Sequence, residues 1–240
     1  MKILLIGYGK MGKAIAAIAT QRGHDITYTI HQSNRDLLAN ITPACVDIAL
    51  EFSEPAAAYA NIYQCLSQGI PVVAGTTGWL HDQAAIEQYC REQAGTFFYA
   101  SNFSIGVHIF LKLNELLAKL MCQQKAYNIA LEEIHHPTKK DSPSGTAISL
   151  AEGILSNMPS KKKWVNAPSK QQDTLPILSK RMPEVPGTHT VTYHSVVDTI
   201  VIKHTAHSRA GFALGAILVA EWLQGKKGVW NMHDFLQLNC

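Results

Sequence analysis

This sequence of 240 residues has little charge, few cysteines and no long hydrophobic run. Charged residues make up 16% of it and the formal net charge is only +3, with no basic helix and no alternation of basic and aromatic residues. Nucleic-acid-binding proteins normally carry such a basic surface, so nucleic acid is not an expected partner. The most apolar later stretch, residues 212–222, is far shorter than the roughly 20 residues that cross a bilayer, so a membrane is not an expected partner either.

The cysteines are scattered, odd in number and never spaced as CxxC. Five cysteines in this arrangement indicate free thiols in a reducing compartment rather than a disulfide framework. The apolar run at the N-terminus is too short for a signal peptide, and it already serves as a predicted strand. We therefore expect a cytoplasmic protein.

What the sequence does contain begins with that strand, which leads directly into a glycine-rich run. Residues 2–6 predict the strand, and Gly7-Tyr8-Gly9-Lys10-Met11-Gly12 follows and opens a helix. GxGxxG alone is a weak signal, but its position between a strand and a helix is the context that supports it. Gly7 permits a tight turn, Gly9 lets a pyrophosphate approach the backbone, and Gly12 allows close helix–strand packing. The motif predicts dinucleotide binding rather than a plain turn.

The end of the second predicted strand bears on the choice of dinucleotide. Strand 26–30 is followed by His31-Gln32-Ser33-Asn34-Arg35, without the acidic residue that usually binds the adenine ribose. Without that carboxylate a 2′-phosphate is not repelled, and His31 or Arg35 could contact one. We therefore expect NADPH and/or NADH as the cofactor, with a tilt toward NADPH.

The rest of the first hundred residues continues the alternation of strands and helices. Strands are predicted at 46–52, 71–74 and 96–100, and helices at 55–68 and 81–93. This order predicts an α/β fold with a Rossmann-type, doubly wound parallel sheet, in which ligands bind beyond the carboxyl ends of the strands. Two loops at such ends are therefore cofactor-binding candidates, with ordinary turns as the alternative: Gly75, Thr76, Thr77, Ala100, Ser101, Asn102 and Phe103.

The densest chemistry lies in residues 132–147, which read EEIHHPTKKDSPSGTA. We predict a helix here with Ser142 as its N-cap and Pro143 as its first residue, because apolar residues recur at helical spacing over 147–158. The small residues Ser144, Gly145 and Thr146 then form the first turn. Their outward amides would make an anion site of the kind that binds carboxylate or phosphate.

Two histidines and two lysines precede that helix end: His135, His136, Lys139 and Lys140. They add proton donors and positive charge, which indicates a pocket for a substrate that carries carboxylates. The ordinary alternative is a set of surface histidines and solvated lysines. We expect no metal here, because adjacent histidines on an extended segment face opposite sides and no cysteine or nearby histidine completes a ligand set.

The second half of the chain predicts a different architecture. It contains a helix at 105–121, a strand at 127–134, a long loop or flap at 161–186, two strands at 188–195 and 199–206, and a helix at 210–223. We therefore divide the chain into a dinucleotide-binding domain at 1–104, an inserted α+β domain for substrate binding and oligomerisation at 105–209, and a C-terminal helix at 210–240 that returns to the first domain.

Together these motifs resemble the dihydrodipicolinate reductase family, also called 4-hydroxy-tetrahydrodipicolinate reductases. The family's segment of paired histidines, a lysine, and Asp-x-Pro-Ser-Gly-Thr-Ala is similar to residues 133–147, with Ser142 where alanine is usual. The resemblance extends over nearly the whole chain, at residues 7–12, 75–77, 102–106, 186–188 and 207–209. The loop after the second strand is shorter than in many members, and His31 stands where an acid is frequent.

The resemblance implies reduction of a cyclic imine dicarboxylate with NAD(P)H, in the diaminopimelate route to lysine. It implies His135 as the proton donor and Lys139 as the second catalytic residue. His136 and the helix end at Ser144, Gly145 and Thr146 would bind the substrate carboxylates. Family members are typically homotetramers built through the sheet of the inserted domain, so the resemblance also implies a homotetramer.

Two alternatives stay open at this stage. One is another NAD(P)-dependent reductase of an amino-acid pathway, such as an aspartate-semialdehyde or homoserine enzyme. The semialdehyde reaction needs a nucleophilic cysteine, and four of the cysteines lie within or beside predicted elements instead of at a helix start: Cys45, Cys65, Cys90 and Cys122. The other alternative is a non-catalytic nucleotide-sensing module.

Overall fold

The computed structural model describes residues 1–238, so the last two residues of the predicted 210–240 segment lie outside it. The chain forms two compact units. Unit 1 comprises Met1–Ile105 and the chain from Arg209 onward, and unit 2 comprises Gly106–Ser208. Each of these boundaries lies one residue from the boundary predicted from the sequence.

The first segment of unit 1 alternates strands and helices. Its elements are β1 (Lys2–Ile6), α1 (Lys10–Gln21), β2 (Asp25–Ile30), β3 (Ile48–Glu51), α2 (Pro55–Ser67), β4 (Val72–Ala74), α3 (Gln83–Glu92) and β5 (Thr96–Tyr99). Short 3-10 helices lie at Gln32–Asn40 and Leu80–Asp82. Each predicted strand and helix of this segment is present, and the strands predicted at 46–52, 71–74 and 96–100 are shorter than predicted at one or both ends.

Unit 2 follows, and the chain then returns to unit 1. The elements up to residue 206 are α4 (Ile105–Met121), β6 (Asn128–His135), α5 (Gly145–Asn157), β7 (Lys163–Val165), β8 (Thr174–Arg181), β9 (Gly187–His194) and β10 (Thr199–Ala206). The returning elements are α6 (Ala210–Trp222), β11 (Gly228–Trp230) and α7 (Met232–Leu236).

The sheet of unit 1 is parallel and has the strand order β11-β5-β4-β3-β1-β2. Its central strands are mostly apolar, and Ile3, Leu4 and Leu5 of β1 are all fully buried. Such runs are expected where helices cover both faces of a sheet, and two separate apolar clusters occupy the two faces here. The Rossmann-type prediction is therefore confirmed. β11 was not predicted, because three residues are too few to show a periodic pattern.

The sheet of unit 2 is mixed, with the order β10-β9-β6-β8-β7. β6 runs parallel to β8 and antiparallel to β9. Helices α4 and α5 pack against one face and form a third apolar cluster with it. The prediction of a loop at 161–186 is wrong, because β7 and β8 lie there. Prolines and polar residues hid the alternation of β8, in which Leu175 and Ile177 are buried.

Candidate active site

The glycine-rich turn of unit 1 packs so closely against its neighbours that two of its positions have no room for a side chain. Gly7 has φ +94°, and a Cβ on it would lie 2.2 Å from the carbonyl oxygen of Phe52. A Cβ on Gly12 would lie 2.1 Å from the carbonyl oxygen of Gly7. Gly9 caps α1 with no side-chain hydrogen bond and no acidic residue in the first turn. The positive end of the helix dipole is therefore open to an anion such as a pyrophosphate.

A cavity of about 350 Å³ opens beside this turn. Gly7, Gly9, His31 and Arg35 all line it, so the structure brings both candidate 2′-phosphate contacts to the glycine loop. The His31 ring is oriented by a 2.9 Å hydrogen bond between its Nδ1 and the Ser33 hydroxyl. Tyr8 and Lys10 are exposed next to the turn, whereas Met11 is half-buried.

The two other predicted cofactor loops lie at the same carboxyl edge of the sheet, after β4 and β5. Gly75 packs so closely on the Phe52 ring that a Cβ there would lie 2.1 Å from it. Thr76 Oγ1 accepts a 2.9 Å hydrogen bond from the Ser53 amide. Of the remaining candidates, Thr77 and Ser101 are exposed, Asn102 is half-buried, and Ala100 and Phe103 are buried.

Sequence reasoning missed a buried acid next to this turn. Glu51, the last residue of β3, is fully buried and accepts hydrogen bonds from the Ser53 hydroxyl and the Asn61 amide. Burial raises the pKa of Glu51, and those hydrogen bonds only partly oppose the shift. The signal available in the sequence was an acidic residue at the end of an otherwise apolar strand.

In unit 2 the start of α5 differs from the prediction. The N-cap is Ser144, whose Oγ accepts a 3.2 Å hydrogen bond from the Ala147 amide, so the assignment of Ser142 and Pro143 to the helix start is wrong. Ser142 and Pro143 precede the helix and are joined by a cis peptide bond. An N-cap hydroxyl accepts a hydrogen bond from the amide two or three residues further on, in the first turn of the helix. Ser144 makes this bond to Ala147, and Ser142 does not cap the helix.

This capping changes which amides are free. The Ser144 amide donates to both carboxylate oxygens of Glu133, at 3.1 Å each. Gly145 and Thr146 occupy the first two helical positions, and no acidic residue lies in that turn. Gly145 is exposed, and a Cβ on it would meet nothing within 4 Å. The anion site predicted over three residues therefore narrows to the amides of Gly145 and Thr146.

Glu133 is the centre of this site, and no expectation from the sequence gave it a role. It is fully buried, its Oε2 lies 3.3 Å from His135 Nδ1, and its Oε1 lies 3.6 Å from the Arg181 guanidinium. Burial alone would raise the pKa of Glu133, but the contact with His135 and the hydrogen bonds from Ser144 outweigh it and hold the pKa well below its usual range. The residue is therefore a buried carboxylate anion.

His189 completes the cluster from another strand. It pairs with Glu133 across β6 and β9, and its Nε2 lies 3.0 Å from the Ser144 hydroxyl. Its ring centroid lies 5.1 Å from that of His135. Burial, with the neighbouring His135 as a second cause, lowers the pKa of His189 to about 4. His189 is therefore neutral at pH 7.

Lys139 and His136 lie in the loop between β6 and α5. Lys139 Nζ contacts both carboxylate oxygens of Asp141 at 2.8 Å, and this ion pair lowers the pKa of Asp141. His136 Nδ1 lies 2.8 Å from the Thr138 hydroxyl. Lys140 is exposed. An anionic ligand that approaches Lys139 would have to compete with Asp141, a partner that the sequence did not reveal.

The argument that no nearby histidine could complete a metal-ligand set is wrong. Glu133, His135 and His189 offer three ligand atoms within 4.8 Å of one another. The donor set suits a divalent cation such as Zn²⁺. However, both oxygens of Glu133 already accept the Ser144 amide, and Arg181 adds a positive charge beside them. We therefore describe these residues as a buried acid–histidine cluster.

The glycine-rich turn on a doubly wound sheet and the buried acid–histidine cluster are the features of a nucleotide-dependent oxidoreductase. Residues 1–103 match the family model described as dihydrodipicolinate reductase, N-terminus, and residues 106–236 match the model of its C-terminus. The chain belongs to the dihydrodipicolinate reductase family. The cofactor is accordingly a pyridine nucleotide.

Relatives agree over the full length of the chain. It is 47% identical to the 4-hydroxy-tetrahydrodipicolinate reductase of Christiangramia forsetii, over 98% of both chains. It is 32% identical to the enzyme of that name from Methanocaldococcus jannaschii, over 98% of this chain and 81% of the other. The dipicolinate-bound dihydrodipicolinate reductase of Paenisporosarcina sp. TG-14 shares the fold, with a TM-score of 0.78 at 20% identity over 98% and 99% of the two chains.

Proposed function

We propose roles for individual residues of this chain in the reaction of its family. That reaction is the NAD(P)H-dependent reduction of 4-hydroxy-tetrahydrodipicolinate to tetrahydrodipicolinate in the diaminopimelate route to lysine. The chain is an oxidoreductase of this pathway. One observation carries the assignment of roles: His135, buried against the Glu133 carboxylate, is tied through that carboxylate to the capped start of α5. A proton donor and an anion-binding helix end thus share one partner.

The substrate carboxylates bind at the start of α5. The Gly145 and Thr146 amides donate to one of them, and the positive end of the helix dipole favours its charge. His136 and Lys139, in the loop before the helix, contribute to the second carboxylate. Lys139 leaves Asp141 when the substrate is bound, because a dianion offers more negative charge than a half-exposed aspartate.

The chemistry at the ring needs a hydride and a proton. When bound, the reduced nicotinamide supplies the hydride, which goes to carbon 4 of the ring after water has left. His135 supplies the proton that the resulting enamine takes up. Lys139 remains a cation beside the dianionic substrate and stabilises its charge in the transition state.

The cofactor site favours NADPH over NADH or accepts both. Gly7, Tyr8, Gly9, Lys10, Met11 and Gly12 hold the pyrophosphate, and the loops at 75–77 and 100–103 border the nicotinamide end. His31 and Arg35 line the same cavity and supply positive or proton-donating groups where NAD-binding sites carry an acid. A 2′-phosphate thus meets donors and no carboxylate at position 31.

The protein works as a homotetramer that associates through the sheet of unit 2. The face of this sheet away from α4 and α5 includes Val201, which is 52% exposed on the edge strand β10. An apolar row on α4 is also exposed, namely Ile109, Leu113, Leu116 and Leu120. Exposed apolar surface and an unpaired strand edge favour association. A monomeric mass by light scattering at micromolar concentration would contradict this proposal.

The protein acts in the cytoplasm, where the pathway's other small-molecule steps would supply its substrate. The four cysteines that the structure describes are free, as expected in a reducing compartment. Among residues 1–238 no helix is both long enough and apolar enough to span a bilayer.

A cysteine-dependent aldehyde reduction is not supported. Cys65 is fully buried, and burial raises the pKa of its thiol to about 12. Cys90 is also fully buried, and burial raises its pKa too. Cys45 has a lowered pKa, due first to a hydrogen bond with Thr42, but it precedes β3 and so lies at the amino edge of the sheet, opposite the glycine turn.

The activity assay tests the function directly. The purified protein should oxidise NADPH or NADH only when the product of dihydrodipicolinate synthase is supplied, as followed by absorbance of the reduced nucleotide. A folded sample that binds nucleotide but turns over neither cofactor would reject the function, and would favour the nucleotide-sensing alternative instead.

A further inference from the structure

The buried row on β6 ends in two polar residues that an apolar core does not explain. Ile129, Leu131, Glu133 and His135 alternate along the strand and all face α5. A fully buried carboxylate is costly unless hydrogen bonds and a counter-charge compensate it. Glu133 has both, from the Ser144 amide, His135 and Arg181. Its presence there calls for a role beyond packing.

The contact between Glu133 and His135 selects one ring nitrogen. Nδ1 of His135 lies 3.3 Å from the carboxylate and, among the described residues, has no hydrogen-bond partner of good geometry, so the negative charge of Glu133 is what favours a proton on Nδ1. Nε2 is then the nitrogen that can exchange a proton with a ligand. Gly187 lies beside it, and a Cβ on Gly187 would be 3.0 Å from Nε2. The absence of a side chain at position 187 leaves that side of the ring open.

The same carboxylate also fixes the helix end. Its two oxygens accept the Ser144 amide at 3.1 Å, and the Ser144 hydroxyl caps α5 and contacts His189. His189 is neutral at pH 7, so its ring packs against that of His135 without adding a second positive charge next to it. Glu133 therefore connects the His135 ring and the anion-binding amides in one rigid cluster.

We propose that Glu133 is a positioning residue for the reduction: it holds His135 with Nδ1 protonated and Nε2 presented to the substrate, and fixes the distance from that nitrogen to the start of α5. This inference rests on the role of His135 given above and deepens it. A group oriented in this way raises turnover, whereas nucleotide and anion affinity depend on other atoms.

The central test is Glu133→Gln, which keeps the size and can still accept the Ser144 amide. Its side-chain amide would turn an N–H toward Nδ1 and so favour the other tautomer. We expect turnover to fall by about 100-fold or more, in the range of lost acid–base catalysis, with the Michaelis constants changed by less than about threefold. The matched control is Glu132→Gln, the neighbouring residue on the opposite face, paired with Lys180 and half-buried. It should turn over at the wild-type rate.

A spectrum separates positioning from mere structural support. The other charged or titratable groups around the two histidines are Arg181, His204 and Lys139, and they stay unchanged. Nitrogen NMR of labelled histidine should show Nδ1 protonated in the wild type and the other tautomer in the variant.

A second variant acts on Nε2, on the other side of the His135 ring from Glu133. It tests the proposal even if Glu133→Gln fails to fold. Gly187→Ala adds a methyl group 3.0 Å from Nε2, and it should lower turnover by about tenfold or more while retaining nucleotide binding. Wild-type turnover in a folded Glu133→Gln, or in Gly187→Ala, would overturn the proposal.

Two further results distinguish the possible failures. If His135→Gln turns over normally, the role of His135 is wrong and this inference falls with it; if His135→Gln is impaired and Glu133→Gln is not, only the inference falls. Loss of wild-type activity in EDTA with recovery in Zn²⁺ would show that Glu133 is a metal ligand, and would also overturn the positioning role. Wild-type activity unaffected by EDTA supports it.

Discussion

The glycine-rich turn of unit 1 and the acid–histidine cluster of unit 2 are built in opposite ways. The turn uses backbone amides and missing side chains within six consecutive residues, Gly7 to Gly12. The cluster uses side chains that come from three strands and a helix start, namely Glu133, His135, Arg181, His189 and Ser144. A site made of backbone atoms should lose function when a Cβ is added and tolerate the exchange of one polar side chain for another. The cluster should lose function even when a substitution such as Glu133→Gln replaces a single side-chain oxygen by nitrogen.

The largest expected effect tests the cluster. His135→Gln should lower turnover by roughly 10²–10⁴-fold, the usual contribution of general acid–base catalysis, with a modest change in apparent substrate affinity. Nucleotide affinity should stay at the wild-type value, because the glycine turn belongs to the other unit. Steady-state rates and a nucleotide titration of the same sample measure both. Near-normal turnover would remove His135 from the mechanism.

A backbone variant should show the reverse pattern. Gly12→Ala places a Cβ 2.1 Å from the Gly7 carbonyl oxygen, so the turn must shift, and a shift of about 1 Å can cost on the order of 100-fold. We expect that loss in nucleotide affinity, while the affinity for a dicarboxylate that we propose for unit 2 should not change. Gly211→Ala is the matched control, since a Cβ there meets nothing within 4 Å. Equal nucleotide affinity in both variants would contradict the packing argument.

Lys139→Ala sharpens the comparison within unit 2. A cation that holds substrate charge in the ground state and the transition state should affect both constants, so turnover should fall and the substrate constant should rise, each by about tenfold to 100-fold. Asp141→Asn removes the partner of Lys139 in the free protein and serves as the counterpart, because it should leave substrate affinity equal or stronger. A pure loss of turnover in Lys139→Ala would restrict Lys139 to the chemical step.

Acid should destabilise unit 2 through its cluster. The pKa of His189 falls from 6.5 to about 4 on folding, so the unfolded chain binds more protons between these values and stability decreases as pH falls from 6.5 toward 4. The loss amounts to about 2–3 kcal/mol. Glu133, whose folded pKa is depressed, acts in the same direction at still lower pH. Denaturant unfolding at pH 7 and pH 5 should show the loss in the wild type and much less of it in His189→Gln.

The smallest expected effect concerns cofactor choice. His31→Glu sets a carboxylate against a 2′-phosphate and should shift the preference toward NADH by about 1 kcal/mol, or roughly fivefold in the ratio of the two affinities. Titration with NADPH and NADH measures that ratio, and His31→Gln controls for loss of the ring alone. A strictly NADH-dependent wild type, or an unchanged ratio, would show that other residues decide.

Much of unit 1 could be predicted because its signals are local. Strand, glycine turn and helix follow one another within 20 residues, and burial on both faces makes β1 continuously apolar. Where the signal was short or mixed, prediction failed. β11 has three residues, and β8 has a proline inside it, so neither showed a clear period. The prediction of the start of α5 failed for another reason. Ser142 and Ser144 are both suitable N-cap residues, and only the fold decides which of them caps the helix.

By itself the sequence determined the fold class, the nucleotide turn and the segment that carries His135 and Lys139, because each depends on residues close together in the chain. The tertiary structure alone decided the partners of those residues. It placed His189 opposite Glu133 through the register of β6 and β9, brought Arg181 to the same carboxylate through β8, and paired Lys139 with Asp141. Strand register joins residues about 50 positions apart and leaves no local pattern, which is why the buried carboxylate at the centre of the site became visible only in the folded chain.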